Sequence, residues 1–167
     1  MYTPLYVKTN YSFLDSLVKI DDLIKTCVNY GIKNLAITDN NMIAVYYFYK
    51  KCIDSGIKPI IGLETKYKDL DILLYAKNYE GYKALIDINL NSCVTYALLD
   101  KYYKDLVIII PFENNNLYEE LKKFGVYLGF SNKEEEEKAS KISSNLVFIN
   151  KIICIKKSDS KYYKYAL

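Results

Sequence analysis

Short β-branched apolar runs alternate along the chain with stretches in which apolar residues recur at helical spacing. Strand character is predicted for residues 5–7, 34–38, 59–64, 71–76, 106–110, 126–130 and 146–150. Between them, Ile20, Leu23, Ile24, Cys27 and Val28 mark one face of a helix over 20–30 that Gly31 stops. Residues 42–55 repeat the pattern and end at Gly56. Helices are also expected over 79–89, over 117–124 before Gly125, and over 133–144. The last opens with Glu134 to Glu137, favourable at the positive end of a helix dipole and most simply a solvated face. The stretch 30–39 echoes 55–64: a glycine stop, a short loop, a buried strand and a carboxylate. Such alternation predicts α/β architecture with parallel strands and right-handed crossovers, and seven units favour a closed barrel over an open sheet. In barrels of that kind function gathers at the carboxyl ends of the strands. Lys8, Asp15, Asp39, Asn40, Glu64 and Lys151 are expected at or just beyond those ends.

Composition narrows the chemistry. A length of 167 residues with 51% hydrophobic content fits one domain over 1–167 with a sizeable core. No apolar run approaches the ~20 residues a membrane span needs, and the start lacks a basic, long apolar leader, so the cytoplasm is expected and no membrane partner. The net charge of +3 is too small to indicate nucleic-acid binding alone. All 23 basic residues are lysine, so no guanidinium fork is available for phosphate. Cys27, Cys52, Cys93 and Cys154 have no paired spacing and are expected as buried free thiols. Most consequential, the chain contains no histidine, so its rim cannot do ordinary transition-metal chemistry.

Several stretches carry a family resemblance. Residues 11–16 continuing through 20–23, Leu35-Ala36-Ile37-Thr38-Asp39, residues 56–64 and residues 74–82 resemble the N-terminal PHP (polymerase and histidinol phosphatase) domain of the bacterial DNA polymerase III alpha subunit. The match is strong to about Asn89 and weaker, but in order, thereafter. The resemblance implies a distorted seven-stranded, PHP-type (β/α) barrel resembling a TIM barrel. It also implies a longer parent chain that performs DNA-templated DNA synthesis, a DNA-directed DNA polymerase and so a nucleotidyltransferase, with this chain as its N-terminal piece.

Active members of that family are implied to hold metal ions among histidines and carboxylates at the strand ends and to hydrolyse phosphoesters. Carried over, a first His-x-His pair falls on Tyr6 and Lys8, the histidine after Thr-Asp on Asn40, and a histidine opening the fourth strand on Asp71. Later ligands fall at Phe112, Lys151 and Ile153. Asp15 and Glu64 remain as residual metal candidates, and Asp39 matches without being assigned as a ligand. The resemblance thus implies a degenerate site with no catalytic residue and no expected cofactor, since two carboxylates hold Mg²⁺ weakly and neither Mn²⁺ nor Zn²⁺ finds its usual ligands. Tyr6, Phe112 and Ile153 are expected to fill the pocket with apolar bulk. Carboxylates left without a metal need another positive charge, so Lys8 or Lys151 is expected within salt-bridge reach of Asp15 or Glu64.

Three functions follow as expectations. The first is a non-catalytic scaffold within a replicative polymerase, joined to the remainder of that chain, reaching DNA through it and offering a docking platform for a proofreading exonuclease subunit. The second is a metal-dependent 3′-5′ exonuclease or phosphoesterase with an altered ligand set, using Glu64, Asp15, Asp39 and Asn40. The third is a single-strand-binding module built on Tyr stacking and Lys phosphate contacts. Against the third, Tyr46 and Tyr49 sit three apart on a helix and are expected to pack inward, and Tyr162, Tyr163 and Tyr165 fall on an expected terminal helix over 158–167.

Overall fold

The computed structural model describes residues 2–91 and 93–155. They form two compact units, one of the described residues up to Ile61 together with those from Lys151, the other Gly62–Asn150.

The first unit contains α1 (Ile20–Asn29), β1 (Asn34–Ile37), α2 (Val45–Asp54) and the first part of β2 (Lys58–Tyr67). α1 buries Ile20, Leu23, Ile24 and Cys27, four of the five positions its spacing predicts, while Val28 is exposed; the four pack with Phe48, Cys52, Leu35 and Ile37 in one core. The sequence echo is a structural repeat. Gly31 and Gly56 end the two helices at φ 65° and 69°, where a Cβ would be strained. The next N–H groups reach back identically, Ile32 to the Cys27 carbonyl and Ile57 to the Cys52 carbonyl, both at 2.9 Å. The strands that follow pair in parallel from Asn34 with Lys58 to Ile37 with Ile61.

Residues 4–8 run alongside β1. Ala36 N–H donates to the Pro4 carbonyl at 3.0 Å and Thr38 N–H to the Val7 carbonyl at 2.8 Å. On the other side Ile152 N–H donates to the Tyr6 carbonyl at 2.8 Å and Lys8 N–H to the Ile152 carbonyl at 3.0 Å. The expected strand at 5–7 is an isolated parallel bridge, Val7 with Ile152, and not a regular ladder. Val7 N–H donates to the Thr38 hydroxyl instead of a backbone carbonyl, which breaks the repeat.

The second unit contains the rest of β2, then β3 (Leu70–Ala76), α3 (Tyr79–Leu90), α4 (Tyr96–Tyr102), β4 (Leu106–Pro111), α5 (Tyr118–Leu121), β5 (Tyr127–Phe130), α6 (Lys133–Ala139) and β6 (Leu146–Phe148). β2, β3 and β4 pair antiparallel, and β4, β5 and β6 in parallel. The fold is therefore mixed α/β, and the expectation of uniformly parallel strands is corrected. Only Lys68 and Asp69 link β2 to β3, at φ 49° and 66°, and a two-residue link forces a hairpin. Asp69 is a residue such turns accept, but without a glycine or asparagine beside it the turn had only a weak sequence signal.

Six strands are present among the described residues, not the seven expected. α4 was not predicted; Thr95 caps it, its hydroxyl accepting from Leu98 N–H at 3.3 Å. The helix expected over 117–124 is one α-turn between two 3₁₀ turns. The helix expected over 158–167, with Tyr162, Tyr163 and Tyr165, lies outside the described residues. Among the described residues no helix is long and apolar enough to cross a membrane.

Candidate functional site

In the first unit the chain leaves β1 through Thr38, Asp39 and Asn40. Asp39 is 1% exposed. Its carboxylate accepts from Thr9 N–H and the Thr9 hydroxyl, both at 2.6 Å, and from the Ser12 hydroxyl at 2.7 Å. A carboxylate offers about four acceptor positions, and three are filled here by one short loop. Ser12 Oγ accepts in turn from Asn40 N–H at 3.3 Å. The exposed Asn40 side chain faces Asn41, whose amide bonds Asn40 Oδ1 at 3.1 Å and the Tyr11 carbonyl at 2.9 Å.

Lys8 is fully buried, and its ammonium donates to Asp15 Oδ2, the ion pair expected from charge balance. The Asp15 side chain is 33% exposed, so the pair runs from the interior to the solvent edge. The Lys8 carbonyl accepts from the Ser16 hydroxyl at 2.6 Å. Lys151 is exposed, and its ammonium lies 5.1 Å from the centroid of the buried Tyr6 ring, a cation–π contact. Ile153 is half-buried; its carbonyl accepts from Leu17 N–H at 2.9 Å and Ser16 Oγ at 3.1 Å. Thr9, Ser12 and Ser16, which bind this region together, were not singled out in the sequence. Their only signal is three hydroxyls closely spaced in one short loop.

In the second unit Glu64 lies inside β2, opposite Leu73, and not at a strand end as expected, because β2 continues to Tyr67. It is 7% exposed. Burial, followed by the negative charge of Glu64, pushes the Tyr75 hydroxyl well above its ordinary pKa. Asp71 stands near the start of β3, its carbonyl held by the Asn114 amide at 2.9 Å. Half-buried Phe112 begins the turn after β4, its carbonyl held by the Asn115 amide at 2.6 Å.

These residues do not fit a transition-metal centre. The chain has no imidazole. Asp39 is occupied by hydroxyl and amide donors and Asp15 by an ammonium. Among the described residues no group of three His, Cys, Asp or Glu side chains is arranged to hold a metal. The cysteines follow expectation only in part. Cys27 and Cys52 are buried, and burial pushes their thiols up to about 11 and about 12, but Cys93 is exposed and Cys154 half-buried. Tyr46 and Tyr49 are 75% and 49% exposed, so the expectation that they pack inward is corrected. Lysines do lie over tyrosines, but Lys51 over Tyr47 is also held by Asp21 at 2.8 Å, and Lys123 over Tyr96 by Asp100 at 2.9 Å.

The PHP domain family profile matches residues 4–124. The chain belongs to the PHP domain family. It is 35% identical over 127 residues to the DNA polymerase III subunit alpha of Ureaplasma parvum, covering 71% of this chain and 13% of that one. To the subunit of the same name from Halalkalibacterium halodurans it is 34% identical over 122 residues, covering 65% and 11%. The chain thus spans little more than a tenth of the length of these relatives. Among solved structures it is similar to a protein of Bifidobacterium adolescentis assigned as a metal-dependent phosphoesterase, with a TM-score of 0.62 at 8% identity over 98% of this chain and 96% of that one. A two-domain Bacteroides vulgatus protein containing a PHP-like metal-dependent phosphoesterase gives 0.62 at 12% identity, over 90% and 51%. At such identities the likeness is one of fold.

Proposed function

We propose that this chain is a non-catalytic PHP domain that serves as a scaffold within a DNA polymerase III alpha-type chain. The observation that carries the reading is chemical. In a fold whose solved neighbours are described as metal-dependent, the Asp15 and Asp39 carboxylates are taken up by Lys8, Thr9 and Ser12. A hydrolytic metal centre needs converging ligands and an open position for water. A carboxylate already bonded to an ammonium or to three donors offers neither. On this reading the longer chain carries DNA synthesis in the cytoplasm, and the domain offers its surface to a separate proofreading exonuclease. The same reading takes the 5–7 segment, bonded to Thr38 and to Ile152, as the seventh strand of a distorted barrel.

The test is hydrolysis of 3′-ended single-stranded DNA and of a chromogenic phosphodiester with Mg²⁺, Mn²⁺ or Zn²⁺, beside metal analysis of the dialysed protein. Background rates and no stoichiometric metal are expected. Metal-stimulated cleavage that disappears in Glu64→Ala would establish the phosphoesterase instead. The single-strand-binding reading gains little, because the lysines over Tyr47 and Tyr96 are already neutralised by aspartates.

A further inference from the structure

The segment from Asn10 to Val18 is a loop built inside out. Tyr11, Phe13, Leu14 and Leu17 are 40%, 83%, 54% and 39% exposed, whereas Ser12 and Ser16 are buried. Val18 anchors its end in the core, but between Tyr11 and Leu17 the buried side chains are the polar Ser12 and Ser16, so apolar burial, the usual source of stability, contributes little there. Leu14 also takes φ 61°, a left-handed conformation unfavourable for a residue with a side chain. Something polar must hold this loop from within. Asn10 N–H closes its base on the Val18 carbonyl at 2.8 Å, and Asp39 holds Thr9 and Ser12. The far limb is held by Lys8 and by the Ile153 carbonyl, which accepts from Leu17 N–H at 2.9 Å and from the Ser16 hydroxyl at 3.1 Å. The Lys8 ammonium takes Asp15 and its carbonyl takes Ser16.

A fully buried ammonium is costly unless a counter-charge sits beside it. Asp15 supplies a counter-charge to Lys8, and the fold gains a cation that cannot dissociate. The same charge repels any divalent ion approaching Asp15.

We propose that the Lys8 ammonium is the resident cation of the first unit, tethered to the backbone, which fixes the 10–18 loop through Asp15 and excludes exchangeable metal. This rests on the non-catalytic reading but is tested apart from it. In a double-mutant cycle, Lys8→Met and Asp15→Asn are each expected to lower the melting temperature by roughly 5–10 °C. The double variant should lose clearly less than the sum. Hydrogen exchange in each single variant should quicken at least about tenfold at the Asp15 and Leu17 amides, reporting local opening. Additive losses, or unchanged exchange at those amides, would overturn the proposal. If Lys8→Met does not fold, the exchange readout of Asp15→Asn decides alone. Binding of Mn²⁺ by the native chain at up to millimolar ion would overturn the exclusion. Because exchange and melting do not involve DNA cleavage, a chain that shows the coupling yet hydrolyses DNA with added metal loses the scaffold reading and the metal exclusion but keeps Lys8 as the fastener of the loop.

Discussion

The two units use polar side chains with different emphasis. The first sinks them: Lys8, Thr9, Ser12, Ser16, Thr38 and Asp39 are all buried and bonded to one another or to nearby backbone. The second spreads many of them over its surface in pairs such as Lys68 with Glu120, Lys122 with Glu119 and Lys138 with Glu134. Exposed pairs contribute little because water and salt screen them. Buried ones are costly to disturb, because a stranded donor has no water to turn to. Shape in the first unit is therefore written partly in hydrogen bonds. In the second it is written in apolar packing and backbone contact.

Removing the buried acceptor should break the contrast most sharply. Each donor stranded in the interior costs about 1–3 kcal/mol, so Asp39→Ala should lower the unfolding free energy by at least about 3 kcal/mol in urea titration. A change below 1 kcal/mol would mean that the network is dispensable. The second unit should answer most strongly at a backbone approach. A Cβ on Gly81 would stand 2.2 Å from the Asp105 carbonyl oxygen and 3.1 Å from Ala76 Cα. Gly81→Ala should therefore cost about 1–3 kcal/mol through overpacking, read in the same assay.

A smaller effect, of opposite sign, is expected at the hairpin tip. Asp69 adopts φ 66° in a two-residue turn that suits glycine. Asp69→Gly should stabilise the chain by up to about 1 kcal/mol, and destabilisation would show that its side chain has a role of its own. The smallest effect is kinetic. With burial holding Cys27 and Cys52 up to about 11 and about 12, both stay protonated and shielded at pH 8, whereas Cys93 is exposed. A thiol reagent at pH 8 should label Cys93 promptly and reach Cys27 and Cys52 only after unfolding. The sign at high pH follows. The unfolded thiols ionise near 9 and the folded ones later, so their contribution is intact below pH 9 and declines as pH rises toward 11.

Legibility in the sequence tracked local rules. The 3.6-residue spacing of α1, the glycine stops at Gly31 and Gly56 and the repeat they punctuate were all readable, since each is dictated within a few residues. The direction of β3 was not, because Lys68 and Asp69 carry only a weak turn signature and periodicity does not encode strand polarity. Lys8 with Asp15 was legible through charge balance, seven residues apart. Asp39 with Thr9 and Ser12 was not, because hydroxyls are common and only the fold brings positions about thirty residues apart to one carboxylate.

The inside-out loop has a consequence for how such a chain can change over generations. A segment whose form is dictated by its inner groups places few demands on its outer ones. Phe13 and Leu14, the most exposed, can be exchanged with little loss of stability, so the outer surface of that stretch can vary while the domain beneath it stays the same.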